Sequence, residues 1–127
     1  IEIAADEKTT EKRVRSMVTD TNRVRRSDPG NPDICNVFAF HKVFSPPELC
    51  AEIDRECRVA GIGCVDCKKK LAANLNASLA PLRERRAELA KNSDRVWESL
   101  RDGARRAGAI ADATIAEVRD AIGIVKP

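Results

Sequence analysis

Apolar residues recur at helical spacing along most of the chain, and this pattern predicts its elements. Predicted helices cover residues 9–18 and 33–44, a third starts at Ser45 and ends at Gly61, and two longer ones start at Cys64 and Ser93. The apolar stripe of the first helix contains Val14, Met17 and Val18, and that of the second contains Val37, Phe40, Val43 and Phe44. The helix that starts at Cys64 has Leu71, Leu75, Leu79 and Leu82 on one face. The stripe of the last helix consists of Val96, Leu100, Ala104, Ala107, Ala111, Thr114, Ile115, Val118 and Ile122. No run alternates with a period of two, so we predict an all-α helical bundle of five or six helices in a single domain over residues 1–127.

Turn and capping residues set the expected boundaries. The run 28–32, Asp-Pro-Gly-Asn-Pro, is a strong turn signal. Ser45 is the expected N-cap of the third helix, with a proline at its first position and Glu48 completing a capping box. Ser93 is the expected cap of the last helix and Gly123 its end, and Pro81 should kink or interrupt the long helix near Ala80.

Composition fits this picture and adds a charge asymmetry. Charged residues make up 34% of the 127 residues, aromatic residues only 3%, and the formal net charge is +3. A chain so poor in aromatic residues favours packed helices over a β-sandwich. Residues 64–86 hold six basic side chains against two acidic ones. This stretch is either a polyanion-binding face or an ordinary solvated helix face.

Neither a membrane span nor a secretory signal is expected. The sequence has no apolar run of 18 residues and no signal peptide at its start. Because it begins at Ile1 in what reads as a continuing sequence, we expect a piece of a longer, cytoplasmic protein.

The five cysteines are the residues with the clearest chemistry. They stand at positions 35, 50, 57, 64 and 67, four of them within 18 residues. Cys64 and Cys67 form a Cys-x-x-Cys pair after Gly63, where a turn enters a helix. Two thiolates at this spacing can converge on one ion or one cluster, and a helix N-terminus lowers thiol pKa values. The spacing favours metal ligation.

Other roles for these cysteines fit less well. A disulfide framework expects an even number in a secreted chain, and a thioredoxin-type pair needs strands. Buried unreactive thiols remain an alternative, although cysteines without a shared role would rarely lie so close together in the sequence. Zinc and an iron–sulfur cluster require the same residue types, so the spacing alone leaves the metal open. His41 is expected at a core edge and Trp97 in packing or as an anchor, and no nucleophile or phosphate-loop motif gives the chain a catalytic residue.

An ordered set of segments resembles tryptophanyl-tRNA synthetases. These segments are residues 16–26, 28–32, 35–38, 63–69, 79–86, 103–107 and 114–119. The resemblance implies the C-terminal, anticodon-binding part of a class I synthetase, following the ATP-binding signature loop. That loop is absent here, so ATP and Mg would bind in a missing catalytic domain and the fragment alone should be non-catalytic. Residues 1–20 would pack against that domain, and the implied parent enzyme is a homodimer that binds the tRNA for tryptophan.

The resemblance also implies a cofactor. Some members of the family hold a [4Fe–4S] cluster through four cysteines, and the matching positions are Cys35, Cys57, Cys64 and Cys67. Zinc is the alternative. The candidate tRNA contacts are the basic residues of the long helix, Lys68, Lys69, Lys70, Arg83, Arg85 and Arg86. A zinc-binding helical nucleic-acid module and a structural interaction domain with inert cysteines are the competing functions.

Overall fold

The computed structural model describes residues 1–124, and the regular structure of this part of the chain is helical throughout. Its α-helices are α1 (Glu7–Arg15), α2 (Asn36–Phe44), α3 (Pro47–Arg58), α4 (Cys64–Lys91) and α5 (Ser93–Ala121). A 3₁₀ turn, Pro32–Ile34, precedes α2. The predicted all-α fold is confirmed, with five α-helices among the described residues. None of these helices is long and apolar enough to cross a membrane.

The chain separates into two compact units, Ile1–Glu84 and Arg85–Pro127. The core lies in the first unit, where apolar residues of α1, α2 and α4 meet. The cluster consists of Val14, Val37, Leu71, Ala72 and Leu75. Burying a side chain of leucine size contributes about 1.5–3 kcal/mol, so this small cluster is a main source of the unit's stability.

Three predicted stripe residues of the first unit, Val18, Val43 and Leu82, are exposed and lie outside the core. Val18 is 61% exposed because α1 ends at Arg15, before the stripe reaches it. Val43 is 73% exposed, while Phe38 is buried in its place. The buried residues of α2 are Val37, Phe38 and His41, and the predicted Phe40 and Phe44 are partly buried against the core.

Helix caps differ from prediction at two serines. Ser45 is the C-cap of α2, and α3 starts with Pro46 as N-cap and Pro47 at its first position. In α5 the N-cap is Asn92, one residue before the predicted Ser93. The Ser45 hydroxyl is hydrogen-bonded to His41 and Asn74 instead, so it is not available to cap α3.

Of the kink or interruption predicted near Ala80, the interruption is wrong, because α4 continues through Pro81 to Lys91. Proline removes one helical hydrogen bond and frees the carbonyl four residues earlier, here that of Ala77. Both positions are exposed, so water can hydrogen-bond the freed carbonyl.

The second unit contains the end of α4 and all of α5. No described residue of α5 is buried, and its predicted apolar stripe is exposed. Trp97, 57% exposed, lines an open cleft of about 330 Å³ with Leu89, Val96 and Leu100. Gly123 has a φ of +72° just beyond the helix, as its predicted role as helix end requires.

Candidate metal centre and nucleic-acid interface

Four cysteines reach one region of the first unit from three chain segments. Cys35 is the N-cap of α2, and Cys57 lies in the last turn of α3. Cys64 and Cys67 lie in the first turn of α4, where the Cys67 amide donates to the Gly63 carbonyl at 3.0 Å. We call Cys35, Cys57, Cys64 and Cys67 the four-cysteine site.

The thiols of this site are close enough to influence one another's ionisation. Burial raises the pKa of the Cys67 thiol to about 12, and its charge repulsion with Cys35, Cys57 and Cys64 adds to the rise. Burial also raises the pKa of Cys57, against a smaller opposing effect of the Arg23 guanidinium. Binding of a metal would remove the protons of Cys57 and Cys67, because metal coordination deprotonates a thiol outright.

Cys50 has a different environment, although it shares α3 with Cys57. Its thiol donates to the main-chain carbonyl of His41 at 3.2 Å and lies 3.7 Å from that of Ser45. The Cys50 thiol is therefore hydrogen-bonded to the C-terminal end of α2. This contact separates Cys50 from the four-cysteine site.

The four-cysteine site has the residue types that both zinc and an iron–sulfur cluster use. Within residues 1–124, no three His, Cys, Asp or Glu side chains are arranged to hold one metal ion. A [4Fe–4S] cluster takes each thiolate on a different iron, so its ligands stand farther apart than those of one zinc ion. The Arg23 Nε is buried beside the sulfurs with no hydrogen-bond partner among the described residues. A sulfide-bearing group would give this donor an acceptor.

The loop between α1 and the 3₁₀ turn forms one wall of the site and is fixed by Asp20. The carboxylate accepts from the Asn22 amide at 2.9 Å and from the Asn31 amide at 2.8 Å. These two hydrogen bonds lower the pKa of Asp20. The loop then reaches the third helix, where the Gly30 amide donates to the Cys57 carbonyl at 2.9 Å.

His41 supports the site from the core side. It is fully buried, with Nε2 3.2 Å from the Cys67 carbonyl and 3.5 Å from Cys67 Sγ. Its Nδ1 is 2.7 Å from Ser45 Oγ, which accepts from the Asn74 amide at 2.9 Å. Burial lowers the pKa of His41, so the neutral ring is favoured, donating from Nε2 and accepting at Nδ1. Sequence reasoning missed this role, since only the tertiary structure brings α2 and α4 together.

Three of the six predicted tRNA contacts are engaged within the first unit. Lys68 Nζ donates to the Arg15 carbonyl at 2.9 Å, and Lys70 pairs with Glu52 at 2.6 Å. Arg83 donates to Asn76 Oδ1 at 3.0 Å and to Thr10 Oγ1 at 2.8 Å, which links α4 to α1. The contacts of Arg83 indicate a structural role.

The other three candidates are more open to solvent. Lys69 has only a 3.5 Å contact with Asp66, and its side chain is 70% exposed. Arg85 and Arg86 belong to the second unit, where Arg85 pairs with Glu88. The basic stretch of the sequence is therefore divided between the two units.

Two open clefts flank Cys64 and Val65. One, of about 360 Å³, is lined by Arg15, Lys68 and Lys69 among others. The other, of about 400 Å³, is lined by the basic residues Arg23, Arg25 and Arg26. These three arginines were not among the nucleic-acid contacts predicted from the sequence. Their close spacing just before the turn at residues 28–32 could have indicated a second basic surface. Both clefts place cationic groups beside the four-cysteine site.

The fold matches the C-terminal helical domain of an aminoacyl-tRNA synthetase. A solved structure of tryptophanyl-tRNA synthetase from Campylobacter jejuni, complexed with ADP and tryptophan, superposes with a TM-score of 0.83 at 30% identity. The match covers 97% of this chain and 38% of that one. No protein-family profile matches the sequence.

The curated relatives point to the same particular enzyme. The chain is 46% identical over 114 residues to tryptophan–tRNA ligase of Deinococcus radiodurans, covering 90% of this chain and 34% of that protein. It is 43% identical over 115 residues to that of Aquifex aeolicus, covering 90% of this chain and 29% of that ligase. The Thermotoga maritima ligase is 37% identical over 126 residues, with 98% and 38% covered. The chain thus spans about a third of the length of the tryptophan–tRNA ligases it matches.

Proposed function

We propose that this chain is the tRNA-binding helical part of a tryptophan–tRNA ligase and that its four-cysteine site holds a [4Fe–4S] cluster. The attachment of tryptophan to tRNA, with its ATP and Mg, would occur in the remainder of the enzyme. The observation that carries the proposal is the convergence of Cys35, Cys57, Cys64 and Cys67, of which Cys64 lines both basic clefts.

The role of the cluster would be structural. The buried cluster of apolar residues is small, with five members, and none of them belongs to α3. Four metal–thiolate bonds would fix α2, α3 and α4 to one another, because metal binding adds directly to folding free energy. The basic clefts beside it would then keep a fixed geometry.

The basic clefts supply the chemistry for RNA. Phosphate contacts by lysine and arginine position a nucleic acid, while bases are read by stacking and edge hydrogen bonds. Lys69 and Arg25 are exposed cations, one in each cleft, and are the proposed phosphate contacts. Arg85 and Arg86 remain candidates on the second unit. The proposed tRNA partner follows from the ligase relatives together with this charge.

The cofactor is tested by metal analysis of a cysteine series. Anaerobically purified protein should contain about four irons and four sulfides per chain and be brown. Serine at position 35, 57, 64 or 67 should give colourless protein of lowered stability. Cys50→Ser is the matched control and should keep its iron. Iron lost in Cys50→Ser but retained in Cys35→Ser would replace the ligand set by 50, 57, 64 and 67, and one zinc without sulfide would establish the zinc alternative.

The RNA partner is tested separately. The full ligase should bind the tRNA for tryptophan more tightly than the same tRNA with an altered anticodon, in a filter-binding titration. Removal of the cluster should weaken this binding and leave tryptophan-dependent pyrophosphate exchange intact. Equal binding of the two tRNAs would argue against an anticodon-binding role.

A further inference from the structure

A single arginine joins the two cysteine-bearing turns of the site. The Nη1 of Arg23 lies 3.9 Å from Cys57 Sγ and 3.8 Å from Cys64 Sγ. Its Nη2 donates to the Arg26 carbonyl at 2.7 Å and to the Ile62 carbonyl at 2.9 Å. One guanidinium therefore holds its own loop, the chain segment between α3 and α4, and two sulfurs in one arrangement.

The Asp20 carboxylate is near enough to interact with the charge of this guanidinium but forms no ion pair with it. None of the ion pairs formed within residues 1–124 includes Arg23, and its Nε is buried without a hydrogen-bond partner there. A partly buried cation is costly unless it is paired. Its Nη2 is occupied by two carbonyls, whereas its Nη1 faces the sulfurs of Cys57 and Cys64, which carry negative charge only as thiolates.

The two neighbouring arginines, Arg25 and Arg26, do not contact the sulfurs. Arg26 donates to the carbonyls of Ala60 and Gly61, at the end of α3. Arg25 is exposed, and only its main-chain amide is fixed, by Asp28 at 2.6 Å. Of the three arginines in this loop, Arg23 is therefore the one aimed at the cysteines.

We propose that Arg23 is a positioning residue that offsets the negative charge of a thiolate-bound cluster and raises its reduction potential. This inference rests on the proposed [4Fe–4S] cluster. Four thiolates outweigh the positive charge of the iron–sulfide core, and one-electron reduction makes the assembly more negative still. A fixed positive charge at the sulfurs stabilises the reduced form more than the oxidised form, and hydrogen bonds to the sulfurs act in the same direction.

The charge and the geometry of Arg23 can be separated by substitution. Arg23→Gln removes the charge but keeps a hydrogen-bonding side chain. Arg23→Lys keeps the charge, but an ammonium cannot reproduce the planar fork that reaches the sulfurs and both carbonyls. Arg25→Gln is the matched control, because it removes the same charge from the same loop without touching the sulfurs.

The experiment uses the full ligase purified anaerobically with its cluster. Iron and sulfide are quantified, the rate of bleaching by excess EDTA is measured, and the potential is determined by titration at an electrode, which delivers one electron per cluster. Arg23→Gln should bleach about 10-fold faster or more, as outer-shell substitutions at metal sites do, and its potential should be more negative. Arg23→Lys should bleach faster with a potential near that of the wild type. Arg25→Gln should match the wild type in both.

Two results would overturn the inference. In the first, the cluster bound by Arg23→Gln has the wild-type reduction potential. Arg23 would then have only a structural role. In the second, Arg25→Gln shifts the potential as far as Arg23→Gln does. If Arg23→Gln retains no cluster, Arg23→Lys decides. A wild-type reduction potential in Arg23→Lys supports the inference. A more negative potential in Arg23→Lys, although the charge is kept, refutes it. Wild-type protein that never binds iron and sulfide would instead refute the proposed cluster.

Discussion

The amide of Gly30 donates to the carbonyl of Cys57 at 2.9 Å, and a Cβ at position 30 would stand 2.6 Å from Cys57 Sγ. Only glycine allows the loop to come this close to α3. The contact places the loop that contains Arg23 against the four-cysteine site.

Gly30→Ala should therefore destabilise the protein and loosen the site. The added methyl group would displace either Cys57 or the loop, and overpacking of this kind costs about 1–3 kcal/mol. The free energy of unfolding from urea titration and the iron content both measure the effect. Gly108→Ala is the control, since its Cβ meets nothing within 4 Å in α5 and should stabilise that helix by about 0.5–1 kcal/mol. Unchanged iron and stability in Gly30→Ala would show that the loop can retreat freely.

Ala60 offers a stabilising substitution. It has a φ of +58° just past the C-cap of α3, a conformation that is unfavourable for any residue with a Cβ. The following amide, of Gly61, donates to the Glu56 carbonyl at 2.7 Å, which closes the end of the helix. Ala60→Gly should raise the free energy of unfolding by about 0.5–1 kcal/mol, the relief of strain outweighing the added freedom of the unfolded chain. Ala87→Gly, at an exposed position inside α4, should lower it by a similar amount.

Asp20 makes stability depend on acid pH. Its pKa is lowered in the folded protein by the amides of Asn31 and Asn22. A group whose folded pKa is depressed stabilises the fold above its unfolded pKa of about 3.9, and this stability is lost as pH falls through the folded pKa. Asp20→Asn should lower the melting temperature at pH 7 and flatten its decline below pH 4. Glu117→Gln, an equal charge change on the exposed surface of α5, should do neither, and identical pH profiles for Asp20→Asn and wild type would contradict the role of Asp20.

Lys69 tests the proposed RNA surface. Lys69→Glu in the full ligase should weaken binding of the tRNA for tryptophan. It should also reduce the slope of log K against log salt by about one, because one phosphate contact is lost. Lys42→Glu is a control of equal charge change on α2, at a residue that lines neither cleft. A salt slope unchanged in Lys69→Glu, or reduced equally in both variants, would make Lys69 an ordinary solvated residue.

The sequence by itself determined the helical class and the identity of the residues with chemistry. Apolar spacing depends on helix geometry alone, so the stripe of α4 was predictable; Leu71 and Leu75 of it are buried, whereas Leu82 at its end is exposed. Cys64 and Cys67 lie one turn apart, so their convergence also follows from local geometry. The ordered resemblance to tryptophanyl-tRNA synthetases identified the class of relatives.

Only the tertiary structure decided which distant groups meet. Cys50 and Cys57 share one helix, but Cys50 binds the end of α2, because the packing of α3 against α2 directs it there. Arg23 and Gly30 reach Cys57 across 34 and 27 positions of sequence, and no local pattern encodes such contacts. Likewise, the run of basic residues in α4 gave no sign that Arg83 would bond to Thr10 while Lys69 stays exposed. Charge and spacing are local properties, whereas burial and partners depend on how the helices pack.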